Sequence, residues 1–264
     1  MLYCLLADSF TWLEKSDDMF FLLVFFAFNA PILSHEPTET QNSGAEQRQT
    51  AQSFEIKEKL DYLLYLPSGY EPRQEKTDGK WPLLVFLHGA GERGNDLNKV
   101  KKHGPPKIVA DDPDFPFVLI SPQCPAGGFW NVDHLLRLIK TTITQRNIDP
   151  DRVYVTGLSM GGHGSWALAA EAPDLFAAVA PICGGGDPKN AKKLKDVPIW
   201  AFHGDADTVV PISASKNAVD AIKKAGGEKV KLTVYKGVGH DSWTETYANE
   251  ALYKWFLSQR RDQR

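Results

Sequence analysis

Cysteine is scarce: three in 264 residues, too few for a disulfide framework. The histidines and cysteines also lack metal-ligand spacing. No H-E-x-x-H and no paired-cysteine motif occurs, so neither a metal nor another cofactor is expected. Long basic runs are absent and the net charge is −3, which argues against a nucleic-acid partner. The glycine-rich GAGERG stretch is not followed by K-[ST], so it does not read as a phosphate loop. No internal repeat is visible. Long apolar runs are missing too. Residues 19–28 (MFFLLVFFAF) fall short of a comfortable membrane span and match the core of a signal peptide.

That run organises the N-terminus. Ala30 is a small residue suited to a cleavage site, but residues 1–18 are acidic, with Asp8, Glu14, Asp17 and Asp18 against Lys15 alone. Translation starting at Met19 would resolve the conflict. The reading is a signal peptide or anchor over 1–34, making the protein secreted or periplasmic, or membrane-anchored if the leader is uncleaved. A flexible polar linker over 35–53 follows, then a folded domain over 54–258 and a polar tail over 259–264. Cys4 belongs to the leader. Cys124 and Cys183 follow strands expected three positions apart, ~14 Å at the usual strand spacing, too far for a disulfide.

What is present is ordinary globular material, 42% apolar and 24% charged, arranged as alternating strands and helices. Strands are expected at 60–66, 83–87 (LLVFL), 117–120, 153–156, 176–182, 199–202 and 230–235. The wholly apolar runs suit strands covered on both faces. Helices are expected from about Val132, capped by Asn131, over 160–171, over 212–225 with Gly226 as the stop, and over 245–258. Such alternation means an α/β fold with a mostly parallel, doubly wound sheet and helices on both faces. Ligands bind beyond the carboxyl ends of such strands.

At one such end stands Gly157-Leu158-Ser159-Met160-Gly161, between a strand and a helix. A nucleophile on a sharp turn needs glycines on either side, because side chains there would collide. A serine hydroxyl needs a base. His240, in the GVGHDSW loop after the last strand, fits best. His88 and His203, each in a His-Gly pair after a strand, read as loop supports. The acid that orients the base is Asp207 or Asp205 in HGDADTVVP. Asp207 is preferred, with Asp205 bracing the loop. The oxyanion needs two donors: the N–H of Met160, and that of Ala90, or second choice Gly91, in HGAGERG. Glu92 and Arg93 are expected to pair within that loop. Trp130, Trp243 and Gln123 are candidate substrate contacts, with core or rim packing as the alternative.

LHGAGERG, SPQCP, GLSMGGHGSW, PICGGGD, HGDADTVVP and GVGHDSW together resemble the α/β-hydrolase carboxylesterases related to dienelactone hydrolase and prolyl oligopeptidase, including feruloyl and acetylxylan esterases. The likeness covers roughly residues 54–258. It implies the α/β-hydrolase fold and a triad of Ser159, Asp207 and His240. About fifteen residues separate Ile182 from Val197, too few for a cap domain, so an open site is expected, suited to bulky or polymer-attached esters better than to small buried ones. Esters are the expected substrates. A serine peptidase is the alternative, and a non-catalytic binding protein on this scaffold is the alternative of another class.

Overall fold

Eight strands, not seven, build the sheet of the computed structural model, in which residues 49–55, 59–72 and 80–263 are described. These fall within the unit Gln41–Arg264. The expected leader over 1–34, with Cys4, and the first part of the expected linker lie outside the described residues. The strands are β1 (Gln49–Glu55), β2 (Lys59–Tyr65), β3 (Trp81–Leu87), β4 (Val118–Pro122), β5 (Ile148–Leu158), β6 (Ala178–Ile182), β7 (Ile199–Gly204) and β8 (Val230–Tyr235). Their order is β1-β2-β4-β3-β5-β6-β7-β8. From β4 to β8 all neighbours are parallel, while β2 runs antiparallel to both β1 and β4. This is the α/β-hydrolase arrangement.

Alternating side chains of the apolar runs feed two cores, as the pleat requires. Leu83, Val85 and Leu87 face one core with Leu135 and Ile139 of α2 (Val132–Gln145), Trp166 and Leu168 of α3 (Met160–Glu171), and Val219 and Ile222 of α5 (Ser213–Lys224). Leu84 and Phe86 face the other with Leu252 and Phe256 of α7 (Glu250–Leu257). Asn131 caps α2 as expected, its side chain accepting from His134 N. Between β6 and β7 the chain makes only a 3-10 turn, Pro188–Asn190, and the four-residue α4 (Ala191–Leu194). Cys124 and Cys183 are buried and free, after strands three positions apart.

Three expectations change. Residues 49–53 are not linker but most of β1, paired with β2 from Gln49↔Tyr65 to Glu55↔Lys59. This is an edge strand held by its backbone ladder and by bonds such as Ser53 Oγ to Asp61 Oδ1 (2.6 Å), so it needs no apolar pattern. The last helix is two: α6 (Trp243–Ala248) and α7, broken at Asn249. Asn249 is extended (φ −86°, ψ 106°) and its side chain caps α7 by accepting from Ala251 N. Finally, 259–263 is anchored to the domain. Tyr154 Oη donates to Gln259 O (2.9 Å), and Arg260 and Arg261 bind Asp149 and Asp151 at the start of β5.

Candidate active site

Loops from the carboxyl ends of β3, β5, β7 and β8 converge on Ser159. The turn from β5 into α3 holds Ser159 at φ 52°, ψ −113°, a conformation that costs a non-glycine residue on the order of 1–3 kcal/mol. The flanking glycines make the turn possible. A Cβ on Gly157 would stand 2.5 Å from the Gly161 carbonyl carbon and 2.7 Å from Leu87 O. One on Gly161 would stand 2.5 Å from the Leu87 carbonyl carbon and 2.8 Å from His88 O. The end of β3 thus lies directly against the start of α3. Ser159 N donates to Ile182 O (2.9 Å), with Cys183 Sγ at 3.3 Å. Cys183 itself has φ 40°, and burial pushes its thiol up to about 12.

The structure brings Ser159, His240 and Asp207 together. His240 Nε2 lies 2.9 Å from Ser159 Oγ, and His240 Nδ1 lies 2.7 Å from Asp207 Oδ2. Asp207 Oδ1 accepts from the N–H groups of Val209 (2.8 Å) and Val210 (2.9 Å). Burial opposes the ionised Asp207 carboxyl, but the His240 hydrogen bond and those two N–H donors outweigh it and hold the group below the ordinary carboxylate range. The ionised Asp207 can only accept, so its contact with Nδ1 fixes the tautomer of His240 with hydrogen on Nδ1, leaving Nε2 free to accept from the serine. Ser159 is half-buried and the His240 side chain is 19% exposed, so solvent reaches the pair. Asp205 turns elsewhere and accepts from Gly237 N (2.6 Å), bracing the loop after β8. Asp241 caps α6 through Thr244.

Met160 opens α3 immediately after the serine, with its N–H on the nucleophile's turn. The loop after β3 lies alongside, since a Cβ on Gly89 would fall 2.7 Å from Leu158 Cδ1. His88 organises that loop. Its Nε2 accepts from Cys124 N (2.9 Å), so Nδ1 carries the hydrogen and donates to Gly89 O (2.6 Å). Burial lowers the His88 pKa to about 4, so the ring stays neutral. The Gly89 carbonyl and the Ala90 N–H share one trans peptide and point opposite ways. Holding the carbonyl therefore sets the direction of the Ala90 N–H. Gly91, the second choice, follows in the same 3-10 turn.

Other loop expectations resolve differently. Glu92 and Arg93 do not pair with each other: Glu92 Oε2 accepts from Gly89 N (3.0 Å), while Arg93 binds Ala90 O and Gly128 O. Gln123 is buried and donates to Glu92 O and Asp96 O, both at 2.8 Å, tying the SPQCP loop to the loop after β3. Trp130 packs against His88 at a tilt (centroids 4.7 Å apart, planes at 59°) and fills the space that Gly164 leaves open. Trp243 meets the His240 ring edge-on at 5.3 Å and His103 at 5.6 Å. All three side chains thus pack against parts of the site. Sequence reasoning missed the approach of His203 to the acid: its Nε2 lies 3.2 Å from Asp207 Oδ2.

Comparison with known proteins places this geometry. A family profile described as the dienelactone hydrolase family matches residues 131–253. NocK of Nocardia uniformis subsp. tsuyamanensis is 32% identical over 170 residues, 58% of this chain and 48% of that protein. The bifunctional acetylxylan esterase/xylanase XynS20E of Neocallimastix patriciarum is 29% identical over 157 residues, 57% of this chain and 22% of that protein. The chain therefore spans about half or less of these relatives' own length. A solved structure described as a thermostable esterase is 35% identical with a TM-score of 0.70, covering 81% of this chain and 63% of that one.

Proposed function

We propose, from the premise that the chain belongs to the α/β-hydrolase superfamily, that it is a serine carboxylesterase acting through an acyl-enzyme. The observation that carries this is the unbroken hydrogen-bond chain from Ser159 Oγ through His240 to Asp207, at 2.9 and 2.7 Å. Ser159 Oγ attacks the ester carbonyl as His240 Nε2 takes its proton. Asp207 holds the imidazole in place and balances its charge. The tetrahedral oxyanion rests on the N–H groups of Met160 and Ala90. His240 then protonates the departing alcohol. A water molecule, deprotonated by the same ring, attacks the acyl-enzyme, releases the acid and restores Ser159.

The short β6–β7 connection leaves room for a bulky alcohol or acyl group, which supports polymer-attached or phenolic esters of plant polysaccharide as substrates. The acetylxylan activity in the name of XynS20E points the same way. Export or membrane anchoring through residues 19–28 is proposed alongside it, on the apolar run alone. The test is p-nitrophenyl acetate hydrolysis by the protein and by Ser159→Ala, followed by a panel of feruloyl, acetyl-xylan and simple acyl esters. Turnover should fall on the order of 10⁶-fold in the variant. Persistent turnover by Ser159→Ala would sink the triad. Peptide cleavage without ester cleavage would favour the peptidase reading. Failure of a fluorophosphonate to label Ser159 would favour a binding protein.

A further inference from the structure

We propose that His203 is a positioning residue for the acid: its Nε2–H, donated to Val210 O, pins the turn whose N–H groups hold Asp207, and sets a partial positive charge beside the carboxylate's Oδ2. His203 lies near the end of β7 and is fully buried. Its Nε2 faces Val210 O at 2.9 Å and Asp207 Oδ2 at 3.2 Å. Both are acceptors, so Nε2 carries hydrogen. On the other side Nδ1 meets Ser215 Oγ at 2.8 Å, and Gly184 O lies 2.8 Å from the same hydroxyl. The ring is gripped at both nitrogens and cannot turn.

The oxygen that His203 approaches is the one His240 uses. Asp207 Oδ2 receives His240 Nδ1 and lies 3.2 Å from His203 Nε2, while Oδ1 receives the N–H groups of Val209 and Val210. A carboxylate offers about four lone-pair sites; three are taken by these donors, and His203 Nε2 closes off the remaining approach to Oδ2. The group cannot rotate or exchange oxygens without breaking two bonds, so the direction offered to His240 is fixed. The Nε2–H dipole 3.2 Å from Oδ2 also competes with His240 for that oxygen's negative charge, so removing it strengthens the hold of Asp207 on His240. Around His203, β8 contributes Val234 as register partner and α5 contributes Ser215. Asp207 is the charged group in contact with the ring. The Cys183 thiol, which senses Asp207, stays neutral because burial raises it to about 12. Asp205 and Asp241 are engaged with Gly237 N and Thr244.

The kinetic readout rests on the esterase reading, and two substitutions separate positioning from packing. His203→Gln carries an amide N–H to about the Nε2 position and keeps the donor to Val210 O beside Asp207. His203→Asn reaches only the Nδ1 side, toward Ser215. For p-nitrophenyl acetate, per site titrated by fluorophosphonate, His203→Gln should keep kcat within about threefold. His203→Asn should lose about tenfold or more in kcat at unchanged KM, with the acid limb of its pH profile moved to higher pH. Equal kcat and equal acid limbs in the two variants would overturn the proposal. Independently, ¹⁵N NMR of the wild-type protein should find a hydrogen on His203 Nε2 protected from exchange. A bare Nε2 overturns the proposal whatever the variants do. Absence of ester turnover by wild type would defeat the esterase reading alone, leaving the NMR measurement to decide the role of His203.

Discussion

Replacing Gly161 by Ala tests whether the elbow is as tight as its geometry requires. The added Cβ would lie 2.5 Å from the Leu87 carbonyl carbon and 2.8 Å from His88 O. Carbon atoms pack at about 3.5–4.0 Å, so β3 and α3 must part by about 1 Å. The atoms in the way are backbone, and no rotamer change relieves them. Overpacking of this kind costs about 3 kcal/mol, which in a domain of this size lowers Tm by roughly 6–12 °C. The same movement carries the loop holding Ala90 away from the turn holding Ser159. A 1 Å misplacement at a reacting centre costs on the order of 10²-fold in rate. Gly226→Ala is the comparator: φ is +92° there with nothing within 4 Å of an added Cβ, so it bears only backbone strain of about 1–2 kcal/mol and leaves turnover intact. Scanning calorimetry and p-nitrophenyl acetate turnover per titrated site measure both effects. A Gly161→Ala protein within 2 °C of wild type and fully active would refute the reasoning.

Asp207→Asn should cut turnover on the order of 10⁴-fold by losing the His240 tautomer. Because the folded carboxyl is held below its ordinary range, its stabilisation is present above about pH 4 and lost as pH falls further. Tm measured from pH 5 to 3 should therefore drop less steeply in the variant than in wild type. His88 binds its proton at about 4 when folded against roughly 6.5 unfolded, so the unfolded chain takes up more protons between those values. Stability should fall by about 3 kcal/mol from pH 6.5 to 4 through this ring, and denaturant titrations of His88→Gln should lack that slope. Asn249→Ala removes the side-chain cap of α7 and should cost about 1 kcal/mol, read as a Tm roughly 2–4 °C lower.

The parts of this molecule legible in the sequence are those where chemistry or burial allows few residue types. LLVFL and its counterparts are strands because both faces are covered, and Leu83 and Leu84 do face different cores. Ser159 stands out because the turn tolerates only glycine on either side, and His240 and Asp207 because a loop after a strand is where a partner can reach it. Strand β1 escaped because an edge strand needs backbone partners, not an apolar period. The break at Asn249 escaped because it needs one side chain turned onto Ala251 N, and neither glycine nor proline marks it. The aromatics show the deeper limit. Trp130 and Trp243 sit at the active end, where an aromatic residue suggests a ligand platform. Whether one is a platform depends on what already occupies its faces, and here His88 and His240 do. The same reasoning applies to His203. A His-Gly pair after a strand says that the ring supports something. That the supported group is the Asp207 carboxylate follows only when β7, its loop and α5 bring Asp207, Val210 and Ser215 around one imidazole.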